Sequence, residues 1–371
     1  MSADDHRYMS LALRLAAKGL YPTDPNPRVG CVIVKNGEIV GEGWHQRAGG
    51  PHAEVHALRQ AGKDAEGSTV YVSLEPCSHH GKTPPCADAL IQAKVARVVA
   101  AMQDPNPLVA GEGLRKLADA GIQVQSGVLQ AQAQAVNPGF IKRMRHKRPY
   151  VRCKLAMSVD GRTALANGAS QWITVAEARR DVHHWRARSS AILTGINTVL
   201  ADDPSLNARL DATDYNENQA VEVVQPLRVV VDSQLRMPLQ AKMLSLPGTT
   251  MIATVNSDAQ KISPLQQRGA EVTVMAQRDG GVDLDALLKH LADKQINEVM
   301  VEAGSVLNGA LLQQHLVDEL IIYMAPCLLG DSAKGLFALP GLDSMEERIE
   351  LVINDIRAVG KDWRISAHVR R

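Results

Sequence analysis

The residues best equipped to do chemistry together lie between His52 and Cys86. The chain reads His52-Ala53-Glu54-Val55-His56, then a strand-like Thr69-Val70-Tyr71-Val72-Ser73-Leu74. Glu75-Pro76-Cys77 follows and, after Ser78-His79-His80-Gly81-Lys82-Thr83-Pro84-Pro85, Cys86. One imidazole and two thiols form a donor set suited to Zn2+, because thiolate and imidazole are soft enough for that ion. His52, Cys77 and Cys86 are therefore the candidate metal ligands. Three protein ligands leave the fourth tetrahedral position open, which marks a catalytic rather than a structural metal. Glu54 stands two residues past the imidazole and is read as the acid/base that moves the proton of the attacking water, not as a ligand.

Two other readings compete. His52 and His56 stand at i and i+4, the spacing of a metalloprotease helix, but that motif places Glu directly after the first His. Here Glu54 comes one position late. A structural zinc would need a fourth protein ligand, which His56, His79 or His80 could supply. His56 is instead expected to be a packed helix residue, and His79 and His80 loop residues facing substrate.

The order His-x-Glu, Pro-Cys, Cys resembles the zinc-dependent nucleoside and nucleobase deaminases, whose signature is H-x-E followed by P-C-x-x-C. It departs from that signature in one place, since eight residues separate Cys77 from Cys86. The longer insert is similar to that of the deaminase half of the bifunctional riboflavin-biosynthesis deaminase/reductases. That resemblance implies a substrate contact for Lys82, to phosphate or carbonyl. It also implies that Asp24-Pro25-Asn26-Pro27-Arg28-Val29-Gly30 and Gly41-Glu42-Gly43-Trp44-His45 border the pyrimidine pocket, through Asn26 and His45. By residue type alone, those two would be a turn former and a surface histidine.

Elements must hold these groups in place. Residues 6–19 carry a largely buried helical pattern, and Cys31–Val34 reads as a strand leading through an Asn36-Gly37 hairpin turn into Glu38–Gly43. Pro51–Ala61 reads as a helix with His52 and Glu54 on its first turn, where the partial positive charge of the helix end suits an anion. Strands are expected over 69–74, Ala96–Met102 and Gln123–Ser126, and helices over Cys86–Ala93 and Gly111–Ala120. This order predicts an α/β/α sandwich with a mixed sheet. Asn137–Pro149, basic with Pro and Gly at its edges, reads as an interdomain connection.

A chain of 371 residues exceeds one ordinary core and predicts two domains, 1–148 and 149–371. A net charge of +1 argues against a nucleic-acid partner, which would call for clustered Lys and Arg. Five cysteines, two claimed by the metal, leave Cys31, Cys153 and Cys327 without a pairing pattern, which fits a reducing, cytoplasmic setting. The N-terminal residues lack the basic and apolar runs of a signal peptide, and no apolar window is long enough to span a membrane.

The second half alternates strands with helices, which points to a mostly parallel sheet. The stretch Tyr150–Arg162 begins as an alternating strand and ends in a turn, and later strands are expected at Ala191–Thr194, Leu227–Asp232, Thr250–Ala253, Glu271–Met275, Glu298–Val301 and Glu319–Ala325. Helices are expected over 175–188, 195–201, 283–294 and 305–315. No G-x-G-x-x-G follows the first strand, so a standard dinucleotide fingerprint is lacking. The best anion site is the strand-to-helix turn at Ala303-Gly304-Ser305, where backbone N–H groups can approach a phosphate.

Four segments resemble the reductase half of the same bifunctional family: Lys154-x-Ala156-x-Ser158-x-Asp160-Gly161; Ser170-Gln171-Trp172-Ile173-Thr174; Gly195 through Asp202-Asp203-Pro204 to Arg209; and Val301-Glu302-Ala303-Gly304. The resemblance covers essentially the whole chain, except for a polar insert at 210–226. It implies a cytidine-deaminase-like N-terminal domain and a dihydrofolate-reductase-like α/β C-terminal domain that uses NADPH. By the same resemblance, Ala156, Trp172, Thr198, Asp202, Ser233 and the run Gly304, Ser305, Val306, Leu307, Asn308, Gly309 and Ala310 would line the NADPH site. Lys154, Ser170, Arg186, Leu206, Arg209 and Glu302 would line the ribose-phosphate site, with Lys154 or Asp202 handling a proton. The implied substrate is a small ribosyl-phosphate pyrimidine, deaminated with zinc and then reduced with NADPH to a ribityl product. The implied assembly is a homodimer or homotetramer through the reductase domain. The competing reading is an RNA- or tRNA-editing deaminase with a C-terminal binding module; only two Phe and balanced charge speak against it.

Overall fold

The structure is a computed structural model that describes residues 2–21, 23–78, 85–107, 109–210 and 224–370. Lys82, His79 and His80 lie outside the described residues, as does most of the polar insert. The chain divides into two compact units, Met1–Lys147 and Arg148–Arg371.

The first unit is built on a five-stranded mixed sheet. In chain order its elements are α1 (Ala3–Ala17), β1 (Gly30–Lys35), β2 (Glu38–Trp44), α2 (Ala53–Ala61), β3 (Thr69–Val72), α3 (Cys86–Gln92), β4 (Arg97–Ala100), α4 (Glu112–Asp119), β5 (Gln123–Ser126), α5 (Gln130–Val136) and α6 (Pro138–His146). The strands lie in the order β2-β1-β3-β4-β5; β1 runs antiparallel to β2 and β3, while β3, β4 and β5 are parallel. Alternation along β1 makes two cores. Cys31 and Ile33 face α2, α3 and α4 through Ala53, Ala57, Leu90 and Leu117. Val32 and Val34 face α1 through Met9, Ala12 and Leu13, with Ala133 of α5 and Phe140 of α6 on the same side.

Three local outcomes differ from the expectations above. Helix α1 starts earlier, because Ser2 and Asp5 form a capping box that ties down its first turn. Helix α5 was not expected at all. The basic segment read as a connection is mostly helix α6: Pro138 sits at its start, where a missing N–H costs nothing, and Lys147 ends it in a left-handed conformation with φ 54°.

Glycine spacing seats the helix that carries His52. A Cβ on Gly41 would lie 2.3 Å from the Ala57 carbonyl oxygen, and one on Gly43 would lie 2.3 Å from that of Ala53. Any side chain on β2 at these points would lift α2 off the sheet.

The second unit holds β6 (Tyr150–Ser158), β7 (Arg162–Ala164), α7 (Ala176–Arg188), β8 (Ala191–Gly195), α8 (Ile196–Asp202), β9 (Leu227–Val231), β10 (Thr250–Thr254), α9 (Ala259–Gln267) and β11 (Ala270–Val274). It continues with β12 (Gln277–Arg278), β13 (Gly281–Val282), α10 (Leu284–Asp293), β14 (Glu298–Val301), α11 (Ser305–Gln313), β15 (Glu319–Ala325), β16 (Lys334–Gly335), β17 (Leu351–Val359) and β18 (Asp362–Val369). Nine strands form one sheet, β11-β10-β9-β8-β14-β6-β15-β18-β17. The first seven of that order are parallel, and an antiparallel β17–β18 hairpin extends the β15 edge. That hairpin was not anticipated. Its outer strand is the reason, since Leu351, Val352, Ile353 and Ile356 all remain exposed on an edge, so no alternation of buried and exposed positions marks the strand. β6 sits centrally between β14 and β15, so its C-terminal half meets the β14–α11 turn.

Candidate functional sites

In the first unit, β2, α2 and the residues after β3 converge on one centre. His52 stands at the N-cap position of α2 in an extended conformation, and its ring makes no cap bond to the helix. Its Nδ1 lies 3.2 Å from Cys86 Sγ and 3.6 Å from Cys77 Sγ, and the donor atoms of all three lie within 4.8 Å of one another. Tetrahedral zinc with ordinary bond lengths puts nitrogen and sulfur donors roughly 3.5 Å apart. The donor set and its spacing therefore fit zinc. Among the described residues the group contains these three and no fourth, and His56 does not belong to it. The thiols differ: hydrogen bonds from Cys86 and His52 hold Cys77 down to about 4, whereas the bond to Cys77 and burial push Cys86 up. The backbone N–H of Cys86 also donates to Cys77 Sγ at 3.2 Å.

Glu54, on the first turn of α2, is 3% exposed, and burial pushes its carboxyl up to about 6 against the pull of His52. It opens on a cavity of about 290 Å3 shared with His52, Cys77, Asn26 and His45. Asn26 Nδ2 lies 3.1 Å from His45 Nε2, and His45 Nδ1 lies 3.0 Å from the Pro51 carbonyl oxygen. His45 is buried, with its pKa lowered by that burial, and meets the His52 ring edge-on at 5.5 Å between centroids. It is not a surface histidine.

Sequence reading missed a further part of the wall, which includes Glu75, Asp104, Asn106, Val109 and Phe140. A signal was present: Asp104-Pro105-Asn106-Pro107 repeats Asp24-Pro25-Asn26-Pro27, and both copies reach the same cavity. Phe140 was hidden in the basic segment.

In the second unit the middle of β6, helix α7 and the end of β14 bring three charged groups together. Arg186 of α7 donates twice to Glu302, Nε to Oε1 at 2.6 Å and Nη2 to Oε2 at 2.9 Å. Burial would raise the Glu302 carboxyl, but Arg186 and Lys154 hold it down to about 2. Burial lowers the Lys154 ammonium, and Glu302 opposes that shift. His183 was not singled out in the sequence. Its Nδ1 accepts the Arg209 backbone N–H at 3.2 Å, and its Nε2 lies 3.3 Å from Arg209 Nη2. Burial and the cations beside it hold His183 down to about 4, so it is neutral.

The remaining residues fall in different environments. Trp172 is 70% exposed under the Arg179 guanidinium at 4.6 Å, and Ser170, Ala156 and Thr198 are half-buried. Asp202 is the exposed last residue of α8. Leu206 is buried in an apolar cluster, with φ 45°. Ser233 Oγ already accepts the Val282 N–H at 3.3 Å. Gly304 caps α11 without any side-chain partner, and a Cβ there would meet nothing within 4 Å. That open helix start fits the approach of a dinucleotide phosphate. Further along, Asn308 braces the turn by donating to the Ala303 carbonyl at 2.8 Å, and Gly309 is packed so tightly that a Cβ would lie 2.0 Å from the Ala338 oxygen.

The sequence and fold match known proteins throughout. The family model of the cytidine and deoxycytidylate deaminase zinc-binding region matches residues 2–102, and that of the RibD C-terminal domain matches 149–365. The riboflavin biosynthesis protein RibD of Escherichia coli is 53% identical, covering 96% of this chain and 97% of its own. That of Haemophilus influenzae is 48% identical, covering 98% and 97%. Among solved structures, RibD of Acinetobacter baumannii superimposes with a TM-score of 0.91 at 46% identity, over 99% of both chains. A diaminohydroxyphosphoribosylaminopyrimidine deaminase/5-amino-6-(5-phosphoribosylamino)uracil reductase of Thermotoga maritima gives 0.84 at 32%, again over 99% of both. With both halves matched in order and at full length, the chain belongs to the RibD family of bifunctional riboflavin-biosynthesis enzymes, a zinc deaminase joined to an NADPH-dependent reductase.

Proposed function

We propose that the Met1–Lys147 unit deaminates 2,5-diamino-6-ribosylamino-4(3H)-pyrimidinone 5′-phosphate and that the Arg148–Arg371 unit reduces the ribosyl group of the product to ribityl. The observation that carries this reading is the His52–Cys77–Cys86 cluster, with buried Glu54 lining the same cavity as His52 and Cys77. Zinc held by those three residues supplies a Lewis acid that makes water nucleophilic near neutral pH. Glu54 takes the proton from the attacking water and returns it to the departing amine, leaving ammonia and a carbonyl. Asn26 and His45 hold the pyrimidine edge, and the hydrogen bond between them fixes both. Lys82 is assigned to the phosphate or carbonyl on the resemblance alone.

In the second unit, Arg186, Arg209 and Lys154 supply fixed cations for a phosphorylated sugar. Gly304 and the start of α11 receive the cofactor, along with Ala156, Trp172 and Thr198. NADPH would supply the hydride to C1′ of the opened sugar, and Lys154, whose ammonium is made more acidic by burial, is assigned the matching proton. An RNA-editing reading has no support in the fold, which is filled by a reductase domain rather than a basic, aromatic face.

Metal removal separates the halves. Chelation is expected to abolish ammonia release while NADPH oxidation with the deaminated ribosyl compound continues at its original rate. Loss of both activities, or of neither, contradicts this division.

The exposed apolar edge strand β17, with Ile353 at 56% and Ile356 at 53% exposure, supports assembly through the reductase domain. Light scattering is expected to give two or four times the chain mass, and a charged substitution at Ile353 is expected to return it to one. A cytoplasmic location agrees with the free state of Cys31, Cys77, Cys86, Cys153 and Cys327.

A further inference from the structure

Glu75 precedes the ligand Cys77 by two residues, and nothing in the chemistry above requires it. It is 6% exposed, yet it makes no ion pair among the described residues. Its two oxygens instead collect four backbone N–H groups. Oε2 accepts from Asp104 and Gly111, each at 2.9 Å, and Oε1 accepts from Gly113 at 2.8 Å and Leu114 at 3.3 Å. Gly113 and Leu114 belong to the first turn of α4, whose N-cap Gly111 offers no side chain to cap it. Glu75 thus caps that helix from another part of the chain, and a carboxylate at a helix N-terminus gains from the dipole as well as from the bonds.

The capped segment is part of the missed wall of the deaminase cavity. Asp104 and Gly111, the first and last anchors on Oε2, bracket Asn106 and Val109, which line that cavity. Between the anchors the chain folds on itself, with the Asn106 N–H donating to Asp104 Oδ1 at 2.8 Å and the Val109 N–H to the Asn106 carbonyl at 3.1 Å. The fit at the other end is close: a Cβ on Gly113 would lie 1.9 Å from the Pro76 carbonyl oxygen. The backbone that presents Cys77 and the backbone that presents Asp104 and Asn106 are therefore held together by one carboxylate.

We propose that Glu75 is a positioning residue of the deamination reaction, fixing the Asp104–Gly111 wall at its working distance from the Cys77 side of the cavity. This rests on the assignment of deamination to that cavity. Its effect belongs to substrate binding, because the residues that meet the reacting carbon hang from α2 and Cys77 and not from the wall. A glutamine at 75 keeps the shape but turns an NH2 toward two N–H donors, so one pair of anchors is lost.

The test compares wild type, Glu75→Gln and Glu75→Asp, each as the full chain loaded with zinc, in ammonia release from the diaminopyrimidinone ribosyl phosphate. Amide hydrogen exchange at Asp104, Gly111 and Gly113 and bound zinc per chain are measured alongside. Glu75→Gln is expected to raise KM about tenfold or more with kcat within about threefold, to speed exchange at those amides, and to keep its zinc. Glu75→Asp, which retains the charge, is expected to recover part of the KM. Unchanged KM with faster exchange overturns the proposal, because the wall would then not matter to substrate. Loss of zinc or of the folded unit in both variants also overturns it and makes Glu75 a purely structural residue. Wild type that releases no ammonia from this substrate would contradict the deaminase assignment itself, a result distinct from either.

Discussion

Glu54→Gln is expected to lower ammonia release by about a thousandfold, within the roughly 10²–10⁴ that a positioned acid/base contributes. Glutamine preserves the shape of a side chain that is 3% exposed, so the cavity and its neighbours stay in place. What disappears is the one group on the α2 turn that can carry a proton between attacking water and leaving amine. His45 cannot substitute, because its Nδ1 is engaged with Pro51, its Nε2 with Asn26, and burial lowers its pKa. The variant is expected to keep its bound zinc and to oxidise NADPH normally when given the deaminated compound. A variant retaining a tenth or more of the wild-type ammonia release would remove Glu54 from the mechanism.

The second large effect is expected on the other unit, from Arg186→Ala. Arg186 and Glu302 are a nearly buried, doubly bonded pair, with side-chain exposures of 13% and 11%. Deleting one partner of a buried pair typically costs about 3–5 kcal/mol, because the survivor stays buried with its charge uncompensated. Unfolding of the reductase unit in urea is expected to shift by about that amount, and its kcat/KM for the ribosyl phosphate to fall about a hundredfold or more. Arg186→Lys is expected to restore stability only in part, since an ammonium cannot offer two parallel donors. The pH dependence has a definite sign. Glu302 is held at about 2, below its ordinary 4.5, so its contribution is complete above pH 4.5 and fades as pH falls toward 2. The deficit of Arg186→Ala against wild type is therefore expected to shrink on acidification through that range. A deficit that stays constant or widens would show that the pair is not the source of the stability.

These two sites were legible in the sequence to different degrees, for physical reasons. The zinc ligands announce themselves, because few roles need one His and two Cys around a carboxylate, and the helix that carries His52 and Glu54 has a clear start. The reductase residues do not. Lys154, Arg186 and Glu302 come from β6, α7 and the end of β14, and only the strand order that puts β14 beside β6 brings them together. Singly each looks like a surface charge, and resemblance alone picked them out. Glu75 was passed over because its partners are backbone N–H groups, which leave no trace in residue types. Asn106 stood in a visible repeat that was not used. Helix α6 was obscured by its charge, since the composition of Lys142–Arg148 suggests a solvated link while Phe140 and Ile141 carry the packing. The parallel part of the large sheet followed from strand–helix alternation; the β17–β18 hairpin, exposed on its outer strand, lacked the buried face that makes a strand readable.

The most direct test of the account is a two-stage assay on the intact, zinc-loaded protein with the diaminopyrimidinone ribosyl phosphate. Ammonia is followed first without NADPH; NADPH is then added and its absorbance followed. The account predicts ammonia in the first stage, about one equivalent of NADPH consumed per equivalent of ammonia in the second, and neither signal from Glu54→Gln on this substrate. NADPH consumption before any ammonia is released, or ammonia with no NADPH oxidation afterwards, would contradict it.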